Sequence, residues 1–270
     1  MPTAAILVPC VLGIVGMIND GIPVRIWMQN PIYIAVFAFV ACMGMRMNVR
    51  IPAGAVVAIS ALLIALTFLG PDIGGVHRWL NLPGFTLNAG AAVLSASVVA
   101  LRRLADERRT VWCLCGTASI AGMLCMQPDA SQLLAFALPV LVLLIGGEFH
   151  RAVKWSGAGV LVLLTLLSWL HLDTLVPANH TEGILTLLRK QSVLLYLAGI
   201  LSLLLVPAGL MIRGIRENRK CWTDIGLYYA MMSIAALSGR FPVPFMGYGA
   251  SPILGYFLMI WLTHTDDLSL

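Results

Sequence analysis

Apolar residues in this chain come in runs that are hydrophobic on every side, broken at intervals by short stretches rich in Gly, Pro and charge. Cut at those breaks, the runs cover roughly residues 4–18, 31–45, 51–69, 86–101, 111–126, 131–147, 152–170, 191–212, 222–240 and 250–263. The strict alternation of a barrel strand does not organise them. A helix with no polar face is surrounded by lipid or protein, and in lipid each backbone amide needs a partner within its own segment. Each run is therefore predicted to be a membrane-spanning helix. Several hold only about 16 residues, against the ~20 that a perpendicular crossing needs, so the boundaries are loose around a count of about ten. The first run follows no Lys or Arg, which removes the basic leader of a cleaved signal peptide and makes it the first span. The expected architecture is an all-α polytopic membrane protein, a single domain over 1–270, with no linker and no internal repeat.

Composition agrees with the pattern. Charged residues are 11% of the chain and the mean hydropathy is +0.92, where a soluble domain carries about 25% charged residues. The charge that is missing is what a water-facing surface would need. The net charge of +5 suggests nucleic acid only until the cations are placed. With the N-terminus inside, the inward connections hold Arg46, Arg50, Arg102, Arg103, Arg108, Arg109, Arg151, Lys154, Arg213, Arg216, Arg219 and Lys220, twelve of the 17 cations. The outward side holds Arg25, Arg78, Arg189, Lys190 and Arg240. Short cytoplasmic loops are the basic ones in membrane proteins. Both ends are thus expected in the cytoplasm, with membrane lipids rather than nucleic acid as surroundings. Of the six cysteines, all but Cys221 lie in apolar runs. Cys113 and Cys115 diverge on a helix, so they read as small apolar residues rather than a metal pair.

The outward loops differ in kind, being dense in Gly, Pro, Asp, His, Arg and aromatics, beyond what hairpin turns require. They contain Gly75-Val76-His77-Arg78-Trp79, Gln127-Pro128-Asp129-Ala130-Ser131, Pro177-Ala178-Asn179-His180-Thr181-Glu182 and Pro244-Phe245-Met246-Gly247-Tyr248-Gly249-Ala250-Ser251. In this order and on this side, the four segments resemble motifs of the SEDS family, the FtsW-, RodA- and SpoVE-like proteins of bacterial division, elongation and sporulation. The resemblance spans essentially the whole chain. It implies peptidoglycan strand polymerisation from lipid II at the outer face of the bacterial cytoplasmic membrane, beside a class B penicillin-binding protein. It also implies that Glu182, at the position of the family's acidic residue, is the catalytic carboxylate. The chain departs from the family in having Glu for Asp there, and Leu87-Asn88-Ala89-Gly90-Ala91 where an acid and a Lys are usual. Leu187-Leu188-Arg189-Lys190 stands where an acidic pair is usual, and the helix before Gly239 has no Asn.

As chemistry, glycosyl transfer needs a base for the acceptor hydroxyl. Glu182 fits that role, or is a solvated loop charge, or is a helix amino-terminal charge after Thr181. Asp173, in the same loop, is the second catalytic candidate, and with Glu182 it is compatible with a divalent cation. His171-x-Asp173 and His180-x-Glu182 have no diagnostic metal spacing, and no protein-held metal is assigned. Arg78 and Trp79 suit a donor pyrophosphate, or are an interfacial Arg beside a belt Trp. His180, Thr181, Arg240, Tyr248 and Ser251 complete the substrate-binding candidates, with Tyr248 equally at home in a tight turn. Gln127 and Asp129 read as structural, the Asp at the surface or partnered with an Arg such as Arg78. Two other readings stay open. One is a catalytically degenerate relative that binds precursor or scaffolds a penicillin-binding protein. The other is a flippase or transporter, against which stands the scarcity of ionisable residues inside the spans.

Overall fold

All ten predicted runs are helical in the computed structural model, which describes residues 2–70, 72–82 and 85–267. The chain ends, assigned above to the cytoplasm, and Pro71 of the second outward loop lie outside the described residues. After a 3-10 turn over Pro2–Ile6 come α1 (Leu7–Asn19), α2 (Val24–Trp27) and α3 (Gln29–Arg46). Met28 keeps helical backbone between α2 and α3, so the two form one 23-residue apolar stretch. Then follow α4 (Ala53–Thr67), the strands β1 (Trp79–Leu82) and β2 (Phe85–Asn88), α5 (Ala89–Asp106), α6 (Thr110–Met126) and α7 (Ala130–Gly146). The chain ends with α8 (Arg151–Leu170), α9 (Ile184–Gln191), α10 (Val193–Arg216), α11 (Lys220–Ala236) and α12 (Ser251–Asp267). The stretch 24–46, α8 and α10 are by themselves long and apolar enough to cross a membrane.

Two elements correct the sequence reading. The run expected to be helical from residue 86 begins as an antiparallel hairpin, with Trp79 opposite Asn88 and Leu82 opposite Phe85. The helix starts only at Ala89, where the Asn88 side chain accepts from the Ala91 amide at 2.9 Å. The outward loop before α10 contains α9, whose Ile184, Leu185, Leu187 and Leu188 are buried while Arg189 and Lys190 are exposed. Its apolar face packs against α1 and α10, and its charged end stays outside.

At the centre stands α5, buried on every side from Ala89 to Arg102. Its Ala, Gly and Ser side chains admit close neighbours, which is how helices associate in lipid. The Ser95 hydroxyl donates to the Gly255 carbonyl at 2.8 Å, and a Cβ at Gly255 would stand 2.5 Å from the Ala91 oxygen. Around this axis pack α4, α6, α7, α11 and α12. The exposed Ile32, Phe39, Trp155, Leu166, Leu201 and Leu204 mark the outer, lipid-facing helices α3, α8 and α10.

Candidate functional site

The outward connections do not hang as separate turns; they are bonded to one another. The loop before α12 threads against the loop before α9. The Tyr248 amide donates to the His180 carbonyl at 2.8 Å, the His180 and Tyr248 rings meet edge to face at 5.7 Å, and the Val243 amide donates to the Thr181 carbonyl at 3.4 Å. Gly247 is required by this approach, since a Cβ there would lie 2.6 Å from the Thr181 oxygen. Asn30, fully buried, holds the other side: its Nδ2 donates to the Gly247 carbonyl at 2.9 Å and its Oδ1 accepts from the Gly249 amide at 3.2 Å. The Tyr248 hydroxyl donates to Gln29 Oε1 at 3.2 Å. Ser251 is buried, its hydroxyl accepting from the Asn88 amide at 2.8 Å, and so ties α12 to the start of α5. Sequence reasoning had passed over Asn30. An amide side chain at the edge of a strongly apolar run was the available signal.

A second cluster sits under the hairpin. Arg78, which immediately precedes β1, is 7% exposed and has acceptors on two sides. Its Nη2 donates to the Pro128 carbonyl at 2.5 Å and to Asp173 Oδ2 in a close ion pair. Its Nε donates to the Gln127 carbonyl at 3.4 Å and faces Asp129 Oδ2 at 3.6 Å. Asp129 is therefore buried and partnered with Arg78, and it also begins α7, accepting from the Gln132 amide at 3.4 Å. The Gln127 amide donates to Thr67 Oγ1 at 2.5 Å and the Ile64 carbonyl at 3.2 Å, which anchors the turn to α4. A buried guanidinium between two carboxylates is electrostatically matched, and charge-assisted hydrogen bonds are the strong ones. Arg78 thus spends most of its donors within the protein. Among the described residues only its Nη1 has no protein partner. Trp79, half-buried, leads the hairpin away from this point.

Asp173 connects the cluster to open space. Its Oδ1 accepts from the Leu175 amide at 3.0 Å and its Oδ2 takes Arg78. With Leu172, Thr174, Leu175, Val176, Pro177, Phe241 and the exposed Arg240, it lines a cavity of about 400 Å³. Glu182 lies in the next turn of the same loop, half-buried, with Oε2 accepting from the Ala178 amide at 2.9 Å. Among the described residues its Oε1 takes no hydrogen bond. Of the two carboxylates, then, Asp173 has both oxygens engaged and Glu182 has one free. His171, Asp173, His180 and Glu182 do not converge: among the described residues no three His, Cys, Asp or Glu side chains form a group able to hold a metal ion.

No family model and no curated protein sequence matches the chain. Solved structures do. The chain is similar to the rod-shape-determining protein RodA of Thermus thermophilus, at 17% identity with a TM-score of 0.71, covering 98% of this chain and 96% of that one. An Asp-to-Ala variant of the same protein gives a TM-score of 0.72 over the same shares. A chain from a structure described as the coordination of polymerization and crosslinking by a peptidoglycan synthase complex matches at 17% identity and a TM-score of 0.68, over 98% and 97%. The fold is that of the RodA polytopic membrane protein over 98% of the chain.

Proposed function

We propose that the chain is a glycosyltransferase of the SEDS type, polymerising glycan strands from lipid II at the outer face of a bacterial cytoplasmic membrane. A class B penicillin-binding protein is its proposed partner for crosslinking. The observation that carries this reading is the RodA-type fold over 98% of the chain together with a carboxylate- and arginine-lined cavity in the outward loops. The resemblance read from the four loop motifs supports it independently.

The reaction assigns each group a task. The acceptor sugar's hydroxyl oxygen attacks the donor's anomeric carbon, and the bond from that carbon to the lipid pyrophosphate breaks. The hydroxyl proton passes to Glu182 Oε1, while the bond's electron pair leaves with the pyrophosphate. Arg240, exposed on the cavity, meets the leaving group's charge, as a guanidinium suits phosphate oxygens. Asp173 holds Arg78 and borders the cavity, leaving Arg78 Nη1 as a second donor toward the phosphates. Any divalent cation would ride on the substrate pyrophosphate.

The test is strand synthesis from fluorescent lipid II by the purified protein in proteoliposomes, alone and with a class B penicillin-binding protein. Glu182→Gln is expected to lower the rate ~10²–10⁴-fold, the usual worth of a positioned general base, and Arg240→Gln to lower it less. Strands that persist in Glu182→Gln and in Asp173→Asn would overturn the assigned carboxylates. No strands from the wild type under either condition would overturn polymerisation and favour the scaffold reading. Transfer of lipid II between leaflets without polymer would favour the flippase.

A further inference from the structure

A cavity apart from the outward site opens at the opposite end of the molecule, on the side that carries the basic loops. It measures about 500 Å³ and is lined by Ala5, Val206, Leu210 and Tyr256 within the bundle and by Arg213, Arg216 and Glu217 at the mouth. That volume lies in the ~300–1,000 Å³ range of ligand-holding cavities. Its two ends differ in chemistry. The floor is apolar, and Tyr256 is fully buried there. The mouth carries two guanidinium groups against one carboxylate, and they are not equivalent. Arg213 lies 4.0 Å over the Trp222 ring and donates from Nε to Glu217 Oε1 at 2.7 Å, which fixes its direction and neutralises it. Arg216 is exposed and has no ion-pair partner among the described residues.

We infer that this cavity is a binding site for an anionic glycerophospholipid of the inner leaflet. The phosphate sits at Arg216 and the Nη edge of Arg213, which has no hydrogen-bond partner among the described residues, and one acyl chain lies along Val206 and Leu210 toward Tyr256. Charge complementarity selects the ligand: the mouth keeps a net positive charge at the level of the basic loops. Basic pockets between helices on the cytoplasmic side take anionic head groups for this reason. A zwitterionic lipid would bring its own cation against Arg216. Free phosphate would meet the same guanidinium groups but leave the apolar floor empty, so phosphate alone falls short of the fit. The inference does not depend on the proposed glycosyl transfer, because it uses none of the outward groups.

Native mass spectrometry of the detergent-purified protein tests it. The probes are phosphatidylglycerol and phosphatidylcholine with the same acyl chains, and inorganic phosphate as a competitor. Arg213 is left alone, since its loss would also uncover Trp222. Arg216→Gln is expected to lower phosphatidylglycerol retention about fivefold, the effect of one cation at an anionic lipid surface, without changing phosphatidylcholine. Gly209 also lines the cavity and has open space at its Cβ position, so Gly209→Leu fills the chain's path with every charge unaltered. It is expected to lower retention at least as much. Equal retention of the two lipids by the wild type would overturn the site. So would Gly209→Leu retaining the lipid that Arg216→Gln loses, since binding would then be to surface charge. Displacement by millimolar inorganic phosphate would reduce the ligand to a phosphate and overturn the lipid.

Discussion

Two buried arginines sit at opposite ends of the molecule, and their surroundings show what separates a strut from a site. Arg102, in the inner half of α5, meets Asp224 of α11 with Nε to Oδ2 at 2.7 Å and Nη2 to Oδ1 at 3.1 Å. Their side chains are 5% and 2% exposed. This bidentate pair is closed on itself and joins two helices in the middle of the bundle. Arg78 is as deeply placed, but its acceptors come from two loops, and one of them, Asp173, opens onto a cavity with the exposed Arg240. The residue types are the same; the difference is whether the last partner is a helix or a loop with space beside it. The closed pair can only hold helices together. The open one holds a loop in place and keeps charge beside the cavity proposed to take the substrate.

The largest expected effect tests the closed pair. Removing one partner of a buried ion pair leaves an uncompensated charge and costs about 3–5 kcal/mol, whereas replacing both with apolar residues is often neutral. Asp224→Ala should therefore lower the thermal unfolding midpoint in detergent steeply, and adding Arg102→Met should recover most of the loss. If the double variant unfolds as early as the single one, Arg102 and Asp224 do more than satisfy each other.

Removing the loop partner should cost less. Asp173→Asn leaves Arg78 with Asp129 and the Gln127 and Pro128 carbonyls, so the lost charged hydrogen bond should be worth about 1.5–3 kcal/mol. Strand synthesis should fall further than stability does, because the cavity wall loses its carboxylate and with it the hold on Arg78. An Asn variant as active as the wild type but markedly less stable would make the outer cluster a strut like the inner one.

How much of this contrast is legible in sequence depends on how far each feature reaches along the chain. The ten runs were legible because lipid demands apolar side chains over whole helices, and each of the ten is a helix. The hairpin was not, because Leu80, Leu82 and Leu87 read equally as the edge of the next apolar run, and alternation over four residues is too short to stand apart from it. Helix α9 was legible only as the helix-terminal alternative for Glu182, since eight residues make barely two turns. The pairing of Asp129 with Arg78 was one of two alternatives, the other being a surface position, that the expense of a lone acid at membrane depth left open. The same argument applied to Asp224, an acid near the start of the 222–240 run, would have asked for a cation and found Arg102. Counting Arg102 as a loop charge concealed the pair, because a contact spanning 122 residues leaves no local trace. The grip of Asn30 on the Gly247 turn spans 217 residues and was invisible likewise.

That grip offers a finer probe of the outer end. Gly247→Ala places a methyl where the Thr181 carbonyl stands, and such overpacking typically costs about 1–3 kcal/mol. The displaced Thr181 adjoins Glu182, so glycan synthesis should fall while unfolding shifts only modestly. A shift in stability with unchanged synthesis would separate the two loops in function, and the outer site would shrink to Asp173, Arg78 and Arg240.

The smallest effect belongs to a third ion pair, which supplies the baseline for the other two. Arg108 Nη2 and Glu148 Oε2 lie 2.6 Å apart, a shorter contact than either bond of the Arg102–Asp224 pair. By distance alone it would rank as the stronger. Its side chains are 79% and 75% exposed, however, so water already solvates both charges and salt screens what attraction remains. Such pairs contribute roughly 0–1 kcal/mol. Glu148→Gln should therefore move the unfolding midpoint little, and any movement should vanish at high ionic strength. A loss comparable with that of Asp224→Ala, and insensitive to salt, would mean that burial is not what distinguishes the three pairs. The division of the molecule into an inner strut and an outer site would then need another physical basis.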